Sequence, residues 1–209
     1  ITLIVMTAMT SGLTSSVYQQ YRGGTIVVSQ DKDAPEGAIE SAEKALKDTN
    51  GVTAIKHMAQ WPVVAQTDTT RGGLYVSPLA PKPFAEPVLS AGTAPTADDQ
   101  IIIPESTASS LSLKVGDTLK VRSGFTEGDY RTLTIVGTTR SNTISMGIPA
   151  SYVTDGGFSA IFGSTASGQF IVATSGADAD SNENPPEATQ DEWVAKANSA
   201  LSDISGVSV

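Results

Sequence analysis

The hydrophobic and polar positions near the start of the chain predict a strand followed by a helix. Residues 25–30 (TIVVSQ) are mostly β-branched or polar and run into Asp31, Lys32 and Asp33, which is typical of a buried strand that enters a loop. Beyond this loop an apolar stripe recurs at helical spacing, with charged residues between its members. The stripe consists of Ala38, Ile39, Ala42, Ala45 and Leu46.

The ends of this first helix are predicted from its flanking residues. Asp33 is expected to be the N-cap, with Pro35 in the first turn and Glu36 three residues after the cap. Asn50 and Gly51 are expected to stop the helix. Residues 52–67 return to β-branched and apolar types, and Pro62 divides them into two short strands or makes them one bent edge strand.

The end of the chain repeats this order of elements. Residues 169–174 (QFIVAT) predict a strand, Thr189 to Glu192 a capping box, and Trp193, Val194, Ala197, Leu201 and Ile204 an amphipathic helix. When the chain is aligned with itself at a shift of 155 residues, six of the thirteen positions from 42 to 54 are identical. Any amphipathic helix stopped by glycine before a strand would share part of this agreement. We therefore predict two strand–helix–strand units in one sheet, with both helices on one side.

Residues 68–167 between these units predict a helix-poor, β-rich insertion. Strands are expected at 73–77, 100–103, 118–122 and 131–138, and a short helix at 105–111. Gly116 and Asp117 predict a turn before the third of these strands. The segment 156–168 is rich in glycine and contains Phe158, Ile161 and Phe162. These three residues are candidate contacts for a partner or cargo in an exposed loop, and the alternative is that they plug the β-rich insertion.

The uncharged first 21 residues suggest the end of a transmembrane helix. Residues 1–9 are mostly apolar, and Thr10 and Ser11 begin a polar stretch. Nine residues are too few to cross the ~30 Å hydrocarbon core of a bilayer, and no basic region precedes them as in a signal peptide. The alternative for this segment is a buried strand.

Charge and composition exclude several classes of protein. The formal charge of −9 and the absence of any basic run make nucleic acid an unfavourable partner. The chain contains no cysteine, so it has neither a disulfide framework nor a thiolate metal site. No Gly-Lys-Ser/Thr triplet is present, so ATP would be hydrolysed on another polypeptide or domain.

The residues that suggest catalysis or metal binding are isolated. His57 is the sole histidine, and Ser41 with Lys44 has the Ser-x-x-Lys spacing that lets a lysine deprotonate a serine, but no Lys-Thr-Gly partner exists. Asp178, Asp180 and Asn182 resemble the start of a calcium loop, yet the sixth position is Glu183 instead of glycine. We predict no catalytic, cofactor-binding or metal-binding residues.

Several segments, in order, resemble the extracytoplasmic domain of MacB-like and FtsX-like ABC transporter permeases. The matching segments are Ser11-Gly12-Leu13, TIVVSQ at 25–30, IIIPES at 101–106, LSLKVGD at 111–117, LTIVG at 133–137 and MGIPAS at 146–151. The resemblance implies an α+β fold in which 25–67 plus 168–209 form a porter-like subdomain. It also implies that 68–167 form an inserted sabre-like subdomain and that 1–24 are the end of a transmembrane helix and stalk.

The same resemblance implies a non-catalytic domain on the extracytoplasmic side of the cell membrane. Family members work as paired permeases with an ABC ATPase on the cytoplasmic side, and the external domain transmits motion to or from a cargo or partner protein. The expected partners are thus the ATPase, a second permease copy, an external protein or cargo, and the membrane through flanking helices. The alternatives are a free-standing secreted binding or adhesion module and, third, a serine hydrolase that uses Ser41 with Lys44 or a serine with His57.

Overall fold

The computed structural model describes residues 23–140, 144–145, 148–163, 168–176 and 187–209. The strands are β1 (Ile26–Gln30), β2 (Val52–His57), β3 (Trp61–Gln66), β4 (Arg71–Pro78), β5 (Leu89–Gly92), β6 (Gln100–Pro104), β7 (Thr118–Ser123), β8 (Arg131–Thr139), β9 (Ile144–Ser145), β10 (Ile148–Val153), β11 (Gln169–Thr174) and β12 (Val207–Ser208). The helices are α1 (Ala38–Lys47), α2 (Glu105–Ser110), α3 (Asp155–Phe162) and α4 (Glu187–Ala200).

The described residues form two compact units. Unit 1 comprises the described residues of the ranges Ile1–Met58, Ala80–Glu86 and Ala166–Val209, and unit 2 those of Ala59–Leu79 and Pro87–Thr165. The first division lies between Met58 and Ala59, whereas the sequence analysis places it between 67 and 68, because β3 pairs with strands of unit 2 rather than following β2 into unit 1. Residues 80–86 also belong to unit 1, although they interrupt the predicted insertion.

Unit 1 is built on one sheet with the strand order β12-β1-β11-β2. β1 pairs antiparallel with β11, and Ile26 lies opposite Val172 while Val28 lies opposite Phe170. The prediction that the two terminal strand–helix–strand units share one sheet is confirmed. Along the chain, β1, α1 and β2 form one βαβ unit, and β11, α4 and β12 form the other. The two parallel strands of each unit are separated in the sheet by one strand of the other unit, which is the split βαβ arrangement.

Both helices of unit 1 cover the same face of this sheet, as predicted. One buried cluster joins Ile39, Ala42 and Leu46 of α1 to Trp193 and Ala197 of α4. The cluster also contains residues of β1 and β11 that point to this face at every second position: Ile26, Val28, Phe170 and Val172. The residues between them, Val27 and Ile171, face the other side, so these strands are apolar on both faces.

A short segment covers the second face of the sheet. Phe84 is 2% exposed and packs with Ile171 and Ala173 of β11, and Val27 and Ala80 lie against this cluster. Segment 80–86, which we call the strap, therefore covers this face of the sheet, as a further layer of helices does in larger α+β domains. The sequence analysis does not assign this role to Phe84.

The first helix begins later than predicted. Asp33 is not its N-cap, because α1 starts at Ala38 and its N-cap is Gly37, which has a positive φ of 79°. The amide of Ala34 donates to the carbonyl of Asp31 (3.1 Å) and that of Ala38 to Pro35 (3.2 Å), so the residues before the helix form turns. Aspartate and proline favour turns as well as helix starts, so the same residues fit both structures.

The second long helix starts earlier than predicted. The described part of α4 includes Glu187, so Thr189 lies inside the helix and the predicted capping box is wrong. A threonine followed three residues later by glutamate occurs inside helices as well as at their N-termini, and Ala188 alone does not reveal the additional turn. Helix α4 still buries Trp193, Ala197 and, just beyond it, Leu201.

Unit 2 contains a closed ring of strands. The pairing order β4-β3-β7-β8-β6-β10 returns to β4 through a parallel pairing in which Ala150 lies opposite Tyr75. β5 pairs with β8 and β9 pairs with β10 outside this ring. Alternate residues point inward and form the core, as in a small barrel filled by side chains. The inward residues include Val63, Ala65, Leu74, Val76, Ile101, Ile103, Leu119, Val121, Leu133 and Ile135.

The predicted strands and turn of the insertion are confirmed. All four predicted strands of residues 68–167 are present, and 118–122 is extended by one residue in β7 (Thr118–Ser123). Residues 52–67 form the two short strands β2 and β3. The turn before β7 has Gly116 at φ 97°, and the amide of Lys114 donates to the Asp117 carboxylate over 3.0 Å.

The described residues contain no helix that is both long and apolar enough to cross a bilayer. The predicted end of a transmembrane helix falls on residues 1–24, of which 1–22 lie outside the described residues. The candidate calcium-loop residues Asp178, Asp180 and Asn182 lie outside them as well.

The strap yields a prediction about the stability of unit 1. Replacing Phe84 with alanine should lower the free energy of unfolding by about 3–5 kcal/mol, because a fully buried phenylalanine leaves a cavity. Urea unfolding followed by far-UV circular dichroism measures this change. Phe125→Ala is the matched control, since that phenylalanine is 64% exposed and its loss should cost less than about 1.5 kcal/mol. Equal losses for the two variants would contradict the role of the strap.

Candidate partner-contact site

Four aromatic side chains of unit 2 form a continuous cluster around Trp61. The Trp61 ring lies 5.1 Å from Phe158, 5.1 Å from Phe162 and 5.9 Å from Phe125, measured between ring centroids. The contacts with Phe125 and Phe162 are edge-to-face, which is a favourable geometry for aromatic pairs. Trp61 is the first residue of β3, and it packs against the buried core of the barrel.

Helix α3 supplies two of these rings and differs from the predicted loop. Phe158 and Phe162 are four residues apart on the helix, so they stack on one face with centroids 4.6 Å apart. Phe158 is fully buried, and Ile161 and Phe162 are partly buried against the same core. The prediction of a loop at 156–168 is therefore wrong for the part that α3 occupies.

Helix α3 forms in spite of its two consecutive glycines. Its N-cap Thr154 accepts a hydrogen bond from the Gly157 amide over 3.0 Å. The Thr154 hydroxyl in turn donates to the Asp98 carboxylate over 2.6 Å. A side chain at Gly156 would collide with that carboxylate. The glycines thus allow a close approach of Asp98 within a helix, whereas their number in the sequence predicts an exposed loop.

Phe125 brings the cluster to the surface. It follows β7 and is 64% exposed, and its amide donates to the Ser123 hydroxyl over 3.1 Å. The preceding Gly124 amide donates to the Pro62 carbonyl over 2.9 Å. These bonds fix the turn that holds Phe125 against Trp61. We call the three rings that reach the surface, Trp61, Phe125 and Phe162, the aromatic surface.

The turn that carries Phe125 has charged residues of both signs. Glu127 and Asp129 are exposed, and the exposed Arg131 follows the turn directly. The nearby guanidinium of Arg122 donates to the Thr126 carbonyl over 2.9 Å and lies 5.6 Å from the Tyr130 ring. Arg122 is therefore engaged within its own turn.

The predicted contact residues divide between core and surface. Phe158 lies in the core, so only Ile161 and Phe162 have any exposure. Trp61 and Phe125 are among the aromatic residues that the sequence offers for a cargo groove or for the core, but the predicted contact residues do not include them. Their proximity depends on the pairing of β3 with β7, in which Val63 lies opposite Ser123, and this pairing has no signature in the local sequence.

Unit 1 carries a separate polar cluster on α1 and β2. The Nε2 atom of His57 lies 3.3 Å from a carboxylate oxygen of Glu43, and Lys47 contacts the same oxygen. The hydrogen bond from His57, and then that from Lys47, lower the pKa of Glu43 to about 2, against the opposing effect of burial. The Nδ1 atom of His57 is buried, and no described residue offers it a hydrogen-bond partner.

This polar cluster lacks the geometry of a catalytic site. His57 contacts a glutamate of the neighbouring helix, and both Ser41 and Lys44 are exposed on α1. Within the described ranges, no group of three or more histidine, aspartate or glutamate side chains is placed to hold a metal ion. We interpret the cluster as a structural ion-pair network.

Comparisons with known proteins identify relatives of the fold and sequence. The family model described as "MacB-like periplasmic core domain" matches residues 1–188. The extracellular domain of the noncanonic ABC-type transporter YknZ from Gram-positive bacteria has a TM-score of 0.59 at 15% identity, covering 88% of this chain and 98% of that chain. The periplasmic region of MacB from Actinobacillus actinomycetemcomitans has a TM-score of 0.56 at 11% identity, covering 92% of each chain. The comparison with curated proteins found no match.

The pKa of Glu43 yields a prediction for acid stability. Because this pKa is lowered from 4.5 to about 2, the stabilisation is complete above pH 4.5 and is lost as the pH falls towards 2. With allowance for solvent screening, Glu43→Gln should remove about 1–2 kcal/mol of the stability difference between pH 6 and pH 2.5. Urea unfolding at several pH values measures this, with Glu40→Gln on the same helix as control. An unchanged pH dependence in Glu43→Gln would refute the ion-pair interpretation.

Proposed function

The chain belongs to the family of MacB-like periplasmic core domains, and on this premise we propose that it transmits ATPase-driven motion to or from an external cargo or partner protein. It is the extracytoplasmic domain of an ABC transporter permease, and the predicted resemblance to this family is confirmed. The observation that carries the proposal is this family match over residues 1–188 together with the separate hydrophobic cores of two units.

We assign different tasks to the two units. Unit 1 is the porter-like subdomain, which follows the flanking membrane helices. Unit 2 is the sabre-like subdomain, which meets the cargo or partner. In this assignment Phe162 and Ile161 contribute to the contact surface, while Phe158 supports them from the core. Each unit has a buried cluster of its own, which favours units that can move as bodies.

The remaining partners follow from the permease premise. We propose that ATP is hydrolysed by an ABC ATPase on the cytoplasmic side, that a second permease copy completes the transporter, and that the chain itself is non-catalytic. Flanking helices anchor the domain to the cell membrane. The lack of a phosphate-binding Gly-Lys-Ser/Thr triplet in the sequence supports placing the ATPase elsewhere.

The location of the domain can be tested by cysteine labelling in the full-length permease. These 209 residues contain no cysteine, so Val88→Cys, at a residue that is 62% exposed, introduces the one reactive site of this domain, and the unsubstituted full-length permease gives the background labelling. A membrane-impermeant maleimide should label it in spheroplasts without permeabilisation. Val76→Cys is the control, because this position is 0% exposed and should stay unlabelled in the folded protein. Labelling of Val88→Cys only after permeabilisation would place the domain in the cytoplasm and refute the proposal.

Motion between the units can be tested by crosslinking. A bifunctional crosslinker that joins one cysteine of unit 1 to one of unit 2 should reduce transport by the full-length permease at least about tenfold, since the units could no longer move separately. The control is a disulfide within unit 1 between Ser29→Cys and Gln169→Cys, which lie opposite each other in β1 and β11. Unreduced transport in the inter-unit crosslinked protein would contradict transmission by relative motion.

A further inference from the structure

We propose that the strap is the element that couples unit 2 to the N-terminal end of unit 1, at Gly23. This inference rests on the proposed function and identifies the segment that passes motion from one unit to the other. The strap belongs to unit 1, but the residues on both of its sides, Leu79 and Pro87, belong to unit 2. A displacement of unit 2 therefore acts on both ends of the strap.

Backbone hydrogen bonds hold both ends of the strap in unit 2. The amide of Leu79, directly after β4, donates to the carbonyl of Val153 over 2.7 Å. On the other side, directly before β5, the carbonyl of Val88 accepts the amide of Arg140 over 3.4 Å, and β5 itself pairs with β8. Unit 2 thus fixes the chain close to both ends of the strap.

The strap and its margins contain little flexible chain. Residues 79–87 have the sequence LAPKPFAEP, and each of the three prolines restricts its own φ angle and the conformation of the residue before it. The amide of Phe84 donates to the carbonyl of Pro81 over 3.1 Å, which closes a turn within the strap. Because proline-rich segments act as semi-rigid spacers, a displacement of the ends should reach Phe84.

Phe84 anchors the strap on the sheet of unit 1. Its buried ring packs with Ile171 and Ala173 of β11, which lies between β1 and β2 in the strand order. The side-chain nitrogen of Lys56 lies 5.9 Å from the centroid of the ring, which is within the range of a cation–π contact. A force on the strap is therefore applied to the interior of this sheet.

The strap also contacts the chain where residues 1–22 join unit 1. A β-carbon at Gly23 would lie 2.7 Å from the carbonyl oxygen of Pro83 and 3.1 Å from the α-carbon of Phe84. Gly23 has a positive φ of 83°, which glycine adopts without a steric penalty. Since no side chain separates these two backbones, a shift of Pro83 and Phe84 has to be accommodated at Gly23.

This contact distinguishes the strap from the other connections between the units. The chain also passes between them at Met58–Ala59 and at Thr165–Ala166, next to β2 and β11. The three atoms nearest to a β-carbon at Gly23 would nevertheless all belong to Pro83 and Phe84. The strap is thus the connection that is placed to act on the N-terminal end of unit 1.

The coupling can be measured in the 209-residue chain, because Trp193 lies in unit 1 and Trp61 in unit 2. In the background Trp61→Phe, Trp193 is the sole tryptophan and reports the urea unfolding of unit 1. Leu133→Ala weakens the core of unit 2 and should lower the urea midpoint that Trp193 reports. Insertion of Gly-Ser-Gly after Leu79 and again after Glu86 should reduce this midpoint shift at least about threefold, since flexible residues uncouple the units.

Hydrogen exchange followed by mass spectrometry locates the effect at the N-terminal end of unit 1. Leu133→Ala should accelerate amide exchange in the peptide that contains Gly23 and Thr25, and the two insertions should abolish this acceleration. The matched control is one Gly-Ser-Gly insertion after Gly128, in an exposed turn of unit 2, which should leave both effects unchanged.

A second variant keeps the test decisive if the double insertion unfolds unit 1. Pro81→Gly with Pro87→Gly makes both margins of the strap flexible at unchanged length, and it should also reduce the midpoint shift. Near-UV circular dichroism verifies that each variant is folded.

Three results would overturn the inference. These are an unshifted Trp193 midpoint in Leu133→Ala, a full shift that persists in the folded strap variants, and an equal reduction by the insertion after Gly128. A persistent full shift would assign the coupling to the other connections between the units. If the crosslink between the units still reduces transport in that case, transmission by relative motion stands and only the route through the strap is wrong.

Discussion

The pairing of β1 with β11 is the interaction on which the rest of unit 1 depends. It joins residues from the two ends of the described chain: the hydroxyls of Thr25 and Thr174 lie 2.7 Å apart although 149 residues separate them in sequence. Only when these strands are adjacent can α1 and α4 cover one face together and Phe84 the other. Closing so long a connection costs chain entropy, but this cost grows only slowly with loop length. The burial of apolar side chains on both faces of the sheet offsets it. A large insertion is therefore tolerated within this unit.

Local patterns in the sequence predict most elements, because most helices and strands have the apolar spacing or residue types that are typical of them. The β-branched residues along 100–103 and 131–138 predict β6 and β8, and both lie where expected. Errors occur where one local signal fits two structures. Asp33 and Pro35 suit a helix start and a turn equally well, and the paired glycines of α3 suit mobility as well as close packing. For the glycines, the choice between mobility and close packing depends on Asp98, which is distant in sequence and approaches Gly156 only after folding.

The candidate site could be predicted only in part for the same reason. Phe158 and Phe162 are recognisable as an apolar pair because they are neighbours in one segment. Trp61 and Phe125 become their neighbours through the ladder between β3 and β7, and their exposure depends on the turn after β7. No local pattern distinguishes the buried Phe158 from the exposed Phe125, since both occur in glycine-containing segments. The aromatic surface thus arises from tertiary structure, whereas catalytic motifs can often be read from the sequence.

Closure of the barrel through β4 and β10 has a consequence for how the two units can recruit other chains. In the described residues, each strand of the ring has a strand on both sides, which leaves few free backbone donors and acceptors for an incoming strand. A partner that docks on unit 2 would then have to be recognised through side chains. Among the described residues, the sheet of unit 1 instead ends at β2 and β12, and edge strands of this kind are where β-augmentation adds a strand. An extended peptide would therefore bind at one of these edge strands of unit 1, and misassembly between copies of the chain would start there as well.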